Sequence, residues 1–388
     1  MSEKSVSRRN FIQSASIGAS AMMIGLNQRV FGANDRVVLG IIGCGGRGNS
    51  LLKRITNIPS IQMAAVCDLR EDRVEQAAMI CEQYEPAVRK YTEFQLLLEK
   101  EKLDGCIVAT EVANHAKCVI PVLESGIHCF SEKPMDTTVE KVDAIVKAAR
   151  EAKGIYQVGF QRRYAPGIQQ AVQFIHDGKA GDIRMLQGMW QWTWAVGGWV
   201  GDVDMSGGEL VEQACHHMDV MNWVMKGQHP ISCYAVGAAT RPLRNGPEHV
   251  SEDYSAVVFE YPDDVGFSYT HVFYCPPEFT GEKLWAYTTK GGVDMVKSQF
   301  YQRPPNDNEV IPPTQIGNQA ESWEYGTSEE LEAFARHIRN NETPLSNAET
   351  GRVSTLMSIM GRTSMYNRKN KKFESSIVKW EDLGTTTG

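Results

Sequence analysis

Val37-Val38-Leu39-Gly40-Ile41-Ile42-Gly43-Cys44-Gly45-Gly46-Arg47-Gly48, running on through Asn49-Ser50-Leu51-Leu52-Lys53-Arg54-Ile55, decides the fold. Its first half is a short apolar run rich in β-branched residues, which predicts a buried strand. Its second half places glycines at 43, 45 and 48 and then puts Leu51, Leu52 and Ile55 on one helical face. A strand, a GxGxxG turn and a helix in that order form a phosphate cradle. The first glycine makes the tight turn, the second lets backbone approach a pyrophosphate, and the third lets helix and strand pack closely. Gly46 and Arg47 fill the turn, and the helix amino terminus faces the phosphate charge. Asp68, twenty residues past Gly48, ends the next apolar run. A carboxylate there accepts hydrogen bonds from ribose hydroxyls and repels a 2′-phosphate, so NAD is expected over NADP. Arg70 and Arg47 lie close enough in sequence to soften that preference.

Outward from this stretch, apolar runs recur at Ile61 to Cys67, Val88 to Tyr91 (weak and short), Cys106 to Ala109, Ile127 to Phe130 and Ile155 to Phe160. Helical periodicity separates them, as in Val139 to Ala149. Six strands alternating with helices predict an α/β doubly wound parallel sheet over residues 34–160. Beyond Phe160 the period shortens to two in Ile183 to Trp194, Ile231 to Ala239, Tyr254 to Tyr261, Val265 to Tyr274 and Leu284 to Thr289, with Pro262-Asp263-Asp264 as a hairpin turn. Residues 161–388 are therefore expected to form a second α/β domain on a largely antiparallel, open-faced sheet. Ser328 to Asn340, capped by Ser328 or Thr327, and Arg352 to Tyr366 read as its late helices. The basic cluster Arg368, Lys369, Lys371, Lys372 reads as a solvated tail.

The chain has 388 residues, enough for two cores. Forty basic against forty-seven acidic side chains give a net charge of −7, which excludes a nucleic-acid backbone as partner. No apolar run is long enough for a multi-pass membrane protein. Ser7-Arg8-Arg9-Asn10-Phe11-Ile12, followed by a small, weakly apolar stretch from Ala15 to Leu26, resembles a twin-arginine export signal over residues 1–33, which implies a periplasmic address. The nine cysteines, odd in number and without a CxxC pair, read as buried small hydrophobes rather than disulfides or zinc ligands.

Two later stretches carry chemistry. Ser131-Glu132-Lys133-Pro134 sits at a predicted strand's carboxyl end, where ligands bind in such sheets, so Lys133 is expected to point into the crevice. Gly207-Gly208-Glu209-Leu210-Val211-Glu212-Gln213-Ala214-Cys215-His216-His217-Met218-Asp219, read as one helix, sets Glu212, His216 and Asp219 on one face and Val211, Cys215 and Met218 on the buried one. An imidazole is the usual acceptor for a hydroxyl proton, which makes His216 the candidate base and Lys133 the group that polarises the same oxygen. A metal site would need ligands from elsewhere, because His217 points about 100° away from His216 on a helix; none is expected. Arg162, Arg163 and Tyr164 suit hydroxyl-rich or carboxylate substrates, or a domain interface. Trp190, Trp192 and Trp194 alternate along a predicted strand. Trp199 lies among glycines in a predicted loop, where it suits sugar stacking.

The fingerprint at Gly43 to Gly48, Ala109-Thr110 with Asn114-His115, Glu132-Lys133-Pro134 and the Glu212-to-Asp219 segment together resemble the glucose–fructose oxidoreductase, inositol dehydrogenase and rhizopine-catabolism (Gfo/Idh/MocA) family. The resemblance implies an amino-terminal Rossmann domain and a carboxyl-terminal domain used for homo-oligomerisation as a dimer or tetramer. It implies that Lys133 contacts nicotinamide and substrate, that Thr110, His115 and Glu132 line the cofactor, and that Gln161 and its neighbours contact cofactor or substrate. His216 matches the family's histidine, and Glu212 stands where aspartate is common. His217 and Asp219 join the expected substrate side. The implied function is an exported oxidoreductase with tightly bound NAD that oxidises a ring hydroxyl, with C3 a candidate, of a sugar or glycoside. The alternatives are an NAD-dependent glycosidase of the family 109 type and a non-catalytic nucleotide- or sugar-binding protein.

Overall fold

The computed structural model describes residues 36–84, 87–193, 197–240, 251–306, 309–319, 325–367 and 369–384. The expected export signal and Trp194 lie outside them. Strands β1 (Val37–Ile42), β2 (Ile61–Cys67), β3 (Arg89–Tyr91), β4 (Gly105–Val108), β5 (His128–Ser131) and β6 (Tyr156–Val158) form a parallel sheet in the order β3-β2-β1-β4-β5-β6. Between them run α1 (Gly46–Ile55), α2 (Glu71–Cys81), α3 (Phe94–Lys100), α4 (His115–Glu124) and α5 (Val139–Glu151). Strand side chains alternate between two cores. Leu39, Ile41, Met63 and Ile107 pack on one face with Leu51 and Leu52 of α1 and Val74 of α2. Ile42, Cys67, Cys106 and Val108 pack on the other with Val119 of α4 and Val142 and Ile145 of α5. The strand order reverses between β1 and β4, which opens a crevice beyond their carboxyl ends.

The second half contains α6 (Pro166–His176), α7 (Val203–Ser206), α8 (Glu209–Glu212), α9 (Cys215–Val224), α10 (Thr327–Asn340) and α11 (Ala348–Met365). Its strands are β7 (Ile183–Gln191), β8 (Ser232–Ala238), β9 (Tyr254–Glu260), β10 (Gly266–Val272), β11 (Gly281–Thr288), β12 (Gly291–Asp294), β13 (Gln299–Gln302), β14 (Thr314–Gln315), β15 (Tyr366–Asn367), β16 (Lys372–Phe373) and β17 (Ile377–Lys379). Nine of them form one sheet, β14-β13-β12-β11-β7-β10-β9-β8-β17, in which β7 and β10 pair in parallel and the other pairs described are antiparallel. The covered face buries Leu186, Val257, Phe259, Phe267, Tyr269 and Leu284 against α9 and α11, whereas Tyr234, Val236, Val258 and Tyr287 are exposed on the other. The Rossmann sheet and the open-faced sheet agree with the α/β class expected.

Several local expectations are corrected. Thr327 lies inside α10 and the cap is Gly326 at φ 85°, a left-handed position that leaves no side chain to cap the helix. Of the basic cluster, Arg368 lies outside the described residues; Lys369, Lys371 and Lys372 are exposed as expected, with Lys372 in the strand that pairs with β15 as a short hairpin. Strands β12, β13, β14 and β17 escaped the sequence reading because runs of two to four residues show no period. All nine cysteines are buried and free. Helix α10 leaves the second half to pack Leu331, Phe334 and Ala335 on the Rossmann sheet beside Val37 and Leu39.

Candidate active site

At the β1–α1 turn Gly43 has φ 95°, and a Cβ there would lie 2.5 Å from the Ala109 carbonyl oxygen. A Cβ at Gly48 would run into the Gly43 carbonyl oxygen. Gly45 and Gly46 are open by contrast: the nearest described atom to a Cβ at Gly45 is Nη1 of Arg73, 3.8 Å away, and a Cβ at Gly46 meets none within 4 Å. The turn is thus closed where helix meets strand and open where a phosphate would approach the helix amino terminus. Asp68 closes the far end of the cleft. Its carboxylate accepts from the Cys44 and Arg70 amides at 2.8 and 3.0 Å. The Arg70 guanidinium turns out to Asp72 on the surface, and the cation beside Asp68 is Arg73, at 3.8 Å. Sequence reasoning passed over Arg73; its signal was a basic residue in the first turn after β2.

Gly43, Gly45, Gly46, Asp68 and Arg73, with Arg47, Thr110, Asn114 and Lys117, line a cleft of about 360 Å³. Trp199, expected on the substrate side, also lines this cleft. The steric pattern of the glycines, the open amide edge and the carboxylate at the end of β2 all fit NAD.

Beyond β5, Arg47 Nε donates to Glu132 at 2.6 Å, which ties the glycine turn to the Glu132-Lys133-Pro134 stretch. His115 is fully buried, with ring nitrogens 2.8 Å from the Pro134 carbonyl and 3.2 Å from the Thr110 carbonyl. It braces the ends of β4 and β5 against each other and offers no surface to the cleft. Lys133 crosses to the second half, where its Nζ donates to Oε1 and to the backbone carbonyl of Glu212 at 2.9 and 2.8 Å. Burial disfavours the ammonium, but Glu212, Cys215 and Glu132 outweigh it and the pKa is raised, so Lys133 stays charged.

The single helix expected from Glu209 to Asp219 is broken: α8 ends at Glu212 and α9 begins at Cys215. At the break the Glu212 carbonyl accepts from the Lys133 ammonium at 2.8 Å and from Cys215 Sγ at 3.2 Å. Val211, Cys215 and Met218 are buried as expected. His216 stands beside the Trp190 ring, centroids 6.0 Å apart, and its Nδ1 has no hydrogen-bond partner among the described residues. Burial, then the Lys133 and Arg162 charges, push its pKa well below the ordinary imidazole value, so it is neutral at pH 7.

Asp219 does not share that face. It is buried against Arg163, 2.8 Å from Nη2, and accepts from Ser354 Oγ at 2.8 Å. Tyr164 lies 3.2 Å from Ser346 Oγ and is likewise built into the interior. Arg162 is 1% exposed and sits 2.5 Å from Glu282 Oε1, 3.3 Å from His217 Nδ1 and 5.2 Å over the Trp190 ring. Trp190 in turn stacks on His271 at 5.9 Å, with 3° between the planes. Gln161 is buried nearby in sequence, and its Oε1 has no partner among the described residues. Glu282 and His271 were missed by sequence reasoning. Glu282 lies two residues before inward-facing Leu284, so the two-residue period extended one step earlier would have pointed it inward.

The chain matches two family profiles: an oxidoreductase family with an NAD-binding Rossmann fold over residues 37–160, and the GFO/IDH/MocA C-terminal domain over residues 168–294. It is 26% identical over 204 residues to the uncharacterized oxidoreductase YrbE of Bacillus subtilis, a match spanning 53% of this chain and 58% of that one. It is 25% identical over 249 residues to the inositol 2-dehydrogenase of Salmonella typhimurium, covering 63% of this chain and 71% of the relative. The scyllo-inositol dehydrogenase of Lactobacillus casei, solved with NAD(H) and scyllo-inositol, superposes with a TM-score of 0.70 at 18% identity over 90% of this chain and 100% of that one. With its glycine cradle, its Lys133–Glu212 link and both halves matched, the chain belongs to the Gfo/Idh/MocA family of NAD-binding oxidoreductases.

Proposed function

We propose that the chain is an NAD-dependent dehydrogenase that oxidises a ring hydroxyl of a sugar, glycoside or cyclic polyol to a ketone, or runs the reverse. The observation that carries this reading is the meeting of a charged Lys133, from the end of β5, with Glu212 and neutral His216 of the second half. Bound NAD supplies the hydride acceptor. An ammonium has three donors, and Glu212 engages Lys133 at two acceptors, so a third N–H is left for the substrate oxygen. His216 takes the hydroxyl proton on oxidation and returns it on reduction. Glu212 orients Lys133 and keeps it protonated. Asp68 favours NAD over NADP; Arg73 is the residue that would work against it.

The test uses the purified full chain. Mass spectrometry of nucleotide released on denaturation should find NAD, retained through purification if binding is tight. A panel of inositols and methyl and nitrophenyl glycosides should yield a keto product. Lys133→Met and His216→Ala should each lower turnover by about 10² to 10⁴. Full turnover in both variants overturns the assignment. Phenol release with NAD redox state unchanged would identify a glycosidase instead, and tight nucleotide binding without turnover of any sugar would identify a binding protein.

Export by the twin-arginine route belongs to the same reading: residues 1–33 fused to a reporter should direct it to the periplasm, and Arg8→Lys with Arg9→Lys should abolish that. Self-association through the exposed sheet face of Tyr234, Val236 and Val258 should appear as a dimer or tetramer in light scattering.

A further inference from the structure

Around His216 two buried cations are each matched by a carboxylate: Lys133 by Glu212 at 2.9 Å and Arg162 by Glu282 at 2.5 Å. The imidazoles among them, His216, His217 and His271, are buried and held neutral by desolvation. Arg162 and the three imidazoles cluster around one ring, since Trp190 has its centroid within 6.0 Å of those of His216, His217 and His271 and carries Arg162 over its face. Here, buried polar atoms without partners among the described residues are of both kinds. Arg162 Nε and Nη2 are donors, while Glu212 Oε2, on the carboxylate that holds Lys133, is an acceptor.

A hydroxyl group donates and accepts, so an array of hydroxyls meets both kinds of atom. A carboxylate or phosphate only accepts and brings a charge that Glu212 and Glu282 oppose. We infer that Glu282, by neutralising Arg162, makes this site select an uncharged polyol or glycoside against the matching uronate or phosphate ester. The inference rests on the dehydrogenase reading above and narrows its substrate class.

The experiment compares matched pairs on the NAD-loaded full chain: methyl glucoside with methyl glucuronide and glucoside 6-phosphate, and the galactose equivalents. Keto-product formation gives kcat/KM, and tryptophan fluorescence quenching gives binding separately from turnover. The neutral member of each pair should win by about 100-fold, the scale of a buried like-charge contact. Glu282→Gln leaves Arg162 without its counter-charge and should shift the uronate-to-neutral ratio about 10-fold or more toward the uronate. Uronates or phosphate esters bound or turned over by the unmodified chain as well as their neutral partners overturn the inference and leave the dehydrogenase reading standing. If no sugar of either kind binds or reacts, both fall. The unmodified chain decides the question even if Glu282→Gln does not fold.

Discussion

For His216 in the proposed role, burial sets the protonation state. In water an imidazole of ordinary pKa is partly protonated near pH 6.5. Here desolvation and the Lys133 and Arg162 charges lower that pKa well below the ordinary value, so the folded protein keeps the proton acceptor empty as the pH falls through 6.5. The acid limb of kcat/KM should therefore lie below pH 6.5; a half-maximal point at 6.5 or above would contradict the assignment. The same shift costs stability in acid, because unfolded histidine takes up a proton below about pH 6.5 and the folded one does not. Glu209 has the opposite sign. It is buried, both carboxyl oxygens lack partners among the described residues, and burial with Glu212 and Glu252 nearby raises its pKa well above the usual range. Its folded form stays protonated while the unfolded form ionises above about pH 4.5, so it destabilises increasingly as pH rises, by up to about 1.4 kcal/mol per unit. Glu209→Gln should raise Tm at pH 8 and change it little at pH 5, measured by calorimetry at both.

At the scale of elements, the turn between β1 and α1 and the break between α8 and α9 do the positioning. A methyl group at Gly48 has no room against the Gly43 carbonyl, so Gly48→Ala should cost about 1–3 kcal/mol in a denaturant titration and weaken NAD binding, whereas Gly46→Ala should be tolerated sterically. The first of these elements was legible in the sequence, because strand, glycines and helical face are all local patterns. The second was not. Residues 209–219 carry apolar positions that suit one continuous helix, and the break is stabilised by Lys133, about eighty positions earlier, bonding the freed carbonyl (79 positions by sequence). No local pattern records a partner so distant. The cap of α10 was misjudged for a related reason: Gly326 packs its backbone against the Gln161 carbonyl, a tertiary approach that displaces the expected Thr327 or Ser328 cap.

For the whole molecule, Arg163–Asp219 is a tie and not a substrate contact, joining the segment after β6 to α9 and, through Ser354, to α11. Removing one partner strands a buried charge, so Asp219→Ala should destabilise by about 3–5 kcal/mol in denaturant unfolding while the KM of the folded fraction stays unchanged. A raised KM with normal stability would return Asp219 to the substrate. What the sequence determined alone is whatever depends on near neighbours: the parallel sheet and its glycine cradle, and the change of period at Phe160. The tertiary structure alone decided which charges neutralise one another. It matched Arg162 to Glu282, Arg163 to Asp219 and Arg73 to Asp68, and it set Trp199 at the edge of the nucleotide cleft. Charge pairing and burial depend on distances in space between segments far apart in the chain, and residue type and spacing do not encode those distances.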